Sequence, residues 1–114
     1  MSRIVSIGHQ AEDMLEGNML ILFSENIPDE LAPYCILHTY DQQLDPMIKY
    51  RYLQIGEAKY AIYDFGYEAY RTWNELGHLT IRLESEGERL PGSIYVGGAQ
   101  LYLPKVGEEI QFLR

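Results

Sequence analysis

Residues 67–84 read YEAYRTWNELGHLTIRLE, and the spacing of the apolar side chains changes at Gly77. Before Gly77, Tyr67, Tyr70 and Asn74 share one helical stripe, and Ala69, Trp73 and Leu76 share another. After it, Leu79, Ile81 and Leu83 alternate with His78, Thr80, Arg82 and Glu84. That period of two belongs to a strand with one face buried. The reading is a helix over Tyr67–Leu76, a left-handed glycine cap at Gly77, and a strand over His78–Glu84. His78, Thr80 and Arg82 then face solvent or a site.

Outward from this stretch, the strands dominate. Lys49–Ile55 and Lys59–Phe65 flank Gly56-Glu57 as a hairpin. Tyr34–Tyr40 (YCILHTY) is a strand with Cys35, Leu37 and Thr39 on one face and Ile36, His38 and Tyr40 on the other. Met19–Phe23 (MLILF) is an unbroken apolar run, so it is buried on both faces or covered by another element. Arg3–Ile7, Ser93–Val96 and Glu109–Leu113 add further strands. Gln10–Leu15 makes a turn or two of helix, and Asp29–Leu31 a single turn closed by Pro33. Many short strands punctuated by Gly and Pro, with one helix of consequence, give a mostly β fold: a small antiparallel barrel-like domain with one short helix. Strands with open edges also pair between copies, so a homodimer is expected.

The chain has 114 residues and a mass of 13.2 kDa, enough for one domain spanning residues 1–114 with a core of its own. The formal net charge is −8, and the lysines and arginines are scattered. That charge opposes nucleic acid and anionic membrane and favours a basic protein partner. No apolar run approaches the roughly 20 residues of a membrane helix, so no membrane insertion is expected and a cytoplasmic protein is the default. Cys35 is the single cysteine, which excludes an intramolecular disulfide and a multi-thiolate metal site.

The chain lacks a P-loop, a Gly-x-Gly-x-x-Gly turn, a Gly-x-Ser-x-Gly elbow and a His-Glu-x-x-His pair. The imidazoles are His9, His38 and His78, too far apart in sequence to mark a metal site. His38 lies inside an apolar strand. It is either a half-buried histidine satisfying a backbone carbonyl, or a nucleophile, since neutral imidazole needs no strong base to attack phosphorus. His78 is either a polar residue at a strand start or a second imidazole beside His38 that contacts a phosphoryl oxygen. Arg82, on the same face, is a phosphate clamp or a solvated partner of Glu84 or Glu68. Cys35 faces away from His38, so it reads as a buried thiol rather than half of a dyad. Asp41, Asp45 and Asp64 are carboxylates that could orient a histidine.

A set of segments in order gives this chain a resemblance. They are Met19–Phe23, Pro28 with Tyr34-Cys-Ile-Leu-His38, Leu53-Gln-Ile-Gly56, Asn74–Arg82, Pro91-Gly92, Tyr95-Val-Gly97, and Leu103-Pro104 with Gly107 and Phe112. Together they resemble the glucitol/sorbitol-specific IIA component of the bacterial phosphoenolpyruvate-dependent sugar phosphotransferase system. The resemblance implies a mostly β barrel-like fold and a phosphoryl relay. The carrier protein HPr would phosphorylate a histidine, and the IIB/IIC membrane components would receive the group during sugar uptake. The family's phosphorylated histidine falls on His38, and its Gly-His pair falls on Gly77 and His78. No cofactor is implied. Relatives often carry a second histidine where this chain has Tyr40, and a glycine within the segment corresponding to Asp41–Tyr52, which here has none. Two other classes compete: a docking relative that relays nothing, and a small-ligand module using Tyr50, Tyr52 or Trp73.

Overall fold

The structure, a computed structural model, describes residues 2–40, 43–85 and 87–114. Its strands are β1 (Ser2–Ile7), β2 (Met19–Ser24), β3 (Ile36–His38), β4 (Tyr52–Ile55), β5 (Ala58–Phe65), β6 (Leu79–Leu83), β7 (Ser93–Val96) and β8 (Glu109–Leu113). Helix α1 covers Ala11–Glu16 and helix α2 covers Ala69–Leu76. The strands close into a barrel in the order β1-β3-β2-β6-β7-β5-β4-β8. Most pairs are antiparallel, as expected, but β2/β3 and β6/β7 run parallel. Closure gives each of these strands two neighbours, so the barrel has no edge strand of the kind on which a homodimer was expected.

Alternation decides what fills the barrel. Leu20 and Leu22 of β2, Leu79 and Ile81 of β6, and Ile94 and Val96 of β7 are almost completely buried, with Leu53 and Ile110 from the opposite wall. The unbroken run in β2 is explained by cover on its outer side, where α1 packs against the strand. The hairpin turns at Gly56-Glu57 with Gly56 at φ +59, a corner that favours glycine.

The strand around His38 is shorter than its apolar pattern suggests. The turn expected at Asp29–Leu31 forms, with Leu31 N–H donating to Pro28 O at 3.0 Å, and Ala32–Tyr34 continues it as a 3-10 turn. The N–H groups of Tyr34 and Cys35 donate back into that turn, to Leu31 O and Ala32 O, so ladder pairing begins at Ile36. Helix α2 opens at Ala69 rather than Tyr67 and ends at Leu76. Gly77 closes it with φ +64, its N–H donating to Trp73 O at 2.8 Å. Ala69 and Trp73 of the predicted stripe are buried, while Leu76 stays 47% exposed.

Candidate functional site

His38 ends β3 with its side chain turned into the barrel, where it is fully buried. The indole of Trp73 lies flat against the ring, with centroids 4.8 Å apart and planes 8° apart. Nδ1 is 2.8 Å from Thr39 O, and Nε2 is 2.8 Å from Gly77 O. Both neighbours are acceptors only, so a neutral ring donates to one of them and turns its lone pair on the other. Only the doubly protonated ring satisfies both.

The helix end explains the second of these contacts. The left-handed cap turns the chain out of α2 and aims the Gly77 carbonyl at Nε2. A Cβ at Gly77 would lie 3.0 Å from Ser24 Cβ and 3.2 Å from His38 Cε1. Ser24, His38 and Gly77 therefore converge, as the pairing of Ser24 with His38 across β2 and β3 also requires.

Just outside this convergence is a cleft of about 310 Å³, with Phe23, Ser24, Asn26, Tyr40 and Leu76 among its lining residues. Tyr40 fastens its rim. The phenol donates to Asn74 O at 2.5 Å, and the ring meets Trp73 edge-on at 5.8 Å. The Asn74 side chain in turn accepts from Leu44 N at 2.7 Å and donates to Leu44 O at 2.8 Å. The C-terminal turn of α2 is thus held to the segment that follows β3.

His78 does not join His38. Its ring stacks on Phe23, with centroids 4.7 Å apart, in a cleft that Ile21 and Cys35 also line on the outer side of the wall. The backbone brings the two residues close through Gly77, but alternation sends the imidazoles to opposite faces. Burial pushes the His78 imidazole below its ordinary range. Cys35 is buried on that outer side too, and burial raises its thiol to about 11. A Cys35–His38 dyad is absent, as the alternation implied.

The remaining candidates lie elsewhere. Arg82 pairs across to Met19, five positions from Ser24 along β2, or roughly 17 Å. Its Nε donates to Ser93 Oγ at 3.1 Å, so the guanidinium serves neither His38 nor the expected Glu84 or Glu68 pairing. Asp64 faces Arg89 at 3.7 Å, and Asp45 Oδ1 accepts from Met47 N. Asp41 lies outside the described residues. His9 sits in the turn before α1 and is not among the residues lining either cleft. Among the described residues no three His, Cys, Asp or Glu side chains converge as a metal set. No described helix is long and apolar enough to cross a membrane.

Sequence reasoning did not anticipate Trp73 as the surface on which His38 rests, or Ser24 and the Gly77 carbonyl as its neighbours. Trp73 falls on the buried helix stripe, a signal that marks packing without naming the partner. That His38 meets a backbone carbonyl was one of the two readings of the sequence; which carbonyl it meets leaves no signature in residue types.

Comparison with known proteins bears on the chain as a whole. The family model for the PTS system glucitol/sorbitol-specific IIA component matches residues 1–111. Two curated relatives, both named PTS system glucitol/sorbitol-specific EIIA component, come from Shigella flexneri and Escherichia coli strain K12. Each is 32% identical over 96 residues, covering 83% of this chain and 78% of the relative. A crystal structure of a PTS system IIA component from Enterococcus faecalis V583 superposes with a TM-score of 0.85 at 22% identity, covering 99% of this chain and 98% of that one. At that identity the last comparison speaks for the fold.

Proposed function

The chain belongs to the PTS glucitol/sorbitol-specific IIA component family, and on that premise we propose that it relays a phosphoryl group on His38. The donor in this reading is phospho-HPr, the acceptor is the IIB component, and the sugar is glucitol or a related polyol. The observation that carries the assignment to His38 is its setting. It is an imidazole held flat on Trp73 behind a surface cleft, with each nitrogen against a fixed carbonyl.

The chemistry follows from that setting. The two carbonyls lie at equal distance, and this reading puts the proton on Nδ1, toward Thr39 O, and the lone pair on Nε2, the nitrogen on the cleft side of Gly77. Nε2 attacks the phosphorus of the donor phosphohistidine in line. The new N–P bond forms as the donor's N–P bond breaks, and the donor imidazole leaves with the electron pair. One phosphoramidate replaces another, so transfer runs in both directions with little driving force. A fully buried ring is out of reach, so Gly77 O must first part from Nε2 and open the ring to the cleft. A left-handed glycine cap is the backbone position best able to make that change.

Replacing His38 by Gln keeps a hydrogen-bond donor in place and removes the nucleophile. Incubation with phosphoenolpyruvate, the general phosphotransferase enzyme and HPr should add about 80 Da to the parent, read by intact mass without acid, and nothing to the variant. Proton–nitrogen NMR of the adduct should show the phosphoryl on Nε2. A phosphorylated His38→Gln protein would sink the assignment. The complete burial of His38 favours a second reading, a docking relative with a structural histidine; an unmodified parent beside a competent donor would establish it.

A further inference from the structure

Phe23 lines two clefts, the one beside Ser24 and a second of about 240 Å³ on the same outer wall. The second is apolar, walled by Ile21, Phe23, Leu31, Tyr34, Cys35 and His78. Leu31 is 47% exposed and Tyr34 37%, so the apolar surface is open to water. The His78 ring nitrogens make no hydrogen bond to any described residue, which leaves them to an incoming group.

The elements that flank this cleft are acidic. Glu12, Asp13 and Glu16 lie on α1, which packs beside it, Asp29 and Glu30 lie on the segment leading into the 3-10 turn, and Glu25 lines the first cleft with Glu75. All are exposed, and apart from Glu75 none is ion-paired to another described residue. Asp13 precedes Met14 and Glu30 precedes Leu31, both of which line the cleft. From Ile4 to Ile48 the chain has neither lysine nor arginine, so local sequence supplies no compensating cation.

We propose that this acid-ringed apolar cleft is where the phosphoryl-donating protein docks, through an apolar tip set among lysine and arginine side chains. The inference rests on the relay reading and gives it a surface. The cleft adjoins the mouth beside His38 through Phe23, so a protein seated on it is placed to reach Nε2. The donor also brings a phosphoryl dianion to an acidic face, and cationic flanks make that encounter attractive. A second copy of this chain carries the same carboxylates and is repelled. His78 then serves as contact surface rather than as a phosphoryl ligand.

The test uses HPr as probe on the full chain. Unphosphorylated HPr titrated into labelled His38→Gln protein should shift the amide signals of residues 21–35 and 78 and leave β4 and β5 unmoved. In phosphoryl transfer, Leu31→Asp and the pair Asp13→Asn with Glu30→Gln should each raise KM for phospho-HPr roughly tenfold at low salt, with kcat within about twofold. The control pair Glu57→Gln with Glu88→Gln removes the same charge elsewhere and should leave KM unchanged. Shifts that map away from the cleft, equal effects of the two pairs, or perturbation by IIB or by a second copy alone would overturn the proposal. Transfer to His38 with binding mapped elsewhere sinks the surface and spares the relay. Binding at the cleft without transfer in the parent sinks the relay instead.

Discussion

Gly77 serves two purposes at one residue. It takes the left-handed conformation that ends α2, and its missing side chain is what lets His38 and Ser24 approach. Alanine there is strained at φ +64 and presses on both neighbours, so Gly77→Ala should cost about 1–2 kcal/mol in urea unfolding. It should slow phosphoryl transfer at saturating donor as well, because the new methyl sits against the Cε1 edge of the ring. The sign of the pH effect at His78 also follows from its place. Burial lowers its pKa from 6.5, so below that pH the unfolded chain binds a proton that the native state resists. Stability contributed by the neutral ring is present above pH 6.5 and is lost as the pH falls through that value toward the lowered one. His78→Phe keeps the stack on Phe23 and should flatten this part of the stability profile, measured by denaturant midpoints between about pH 7.5 and 5.5.

At the scale of elements, α2 is the support of the site. Trp73 is fully buried and touches the rings of His38, Tyr40 and Phe112, while Asn74 and Tyr40 tie the helix end to the segment that follows β3. Trp73→Ala should therefore cost about 3–5 kcal/mol, whereas Trp73→Phe should keep the fold and loosen the ring. The conservative variant separates the two roles: its transfer rate should fall more than its unfolding midpoint. What was legible in these elements was the periodicity. The helix, its glycine stop and the strand after it come directly from the spacing of Trp73, Gly77, Leu79 and Ile81. The opposite faces of Cys35 and His38 come from alternation. The start of β3 was not legible, since it is set by the 3-10 turn that takes up the Tyr34 and Cys35 N–H groups rather than by hydrophobicity. Nor was the placement of His78, because adjacency to Gly77 in sequence brings it near the site while alternation turns its ring out of it.

At the scale of the whole molecule, pattern alone indicated a barrel but not its strand order, because parallel joints such as β2/β3 depend on long connections whose return path no local signal records. Closure brings α1 and the 25–35 segment to one side, and with them most of a stretch that carries carboxylates and no cations. The chain as a whole is at −8, so this face is where self-repulsion concentrates. Salt should then act in opposite directions on stability and on docking. Screening relieves repulsion within the fold, and raising NaCl from about 10 mM to about 300 mM should increase the thermal midpoint by about 3–6 °C. The same screening weakens attraction to a cationic partner, so KM for phospho-HPr should climb over that range while the protein becomes harder to melt. Asp13→Asn with Glu30→Gln should reduce both slopes together, because both arise from the same carboxylates. A variant that lost the salt dependence of KM but kept that of the midpoint would place the repulsion elsewhere on the barrel.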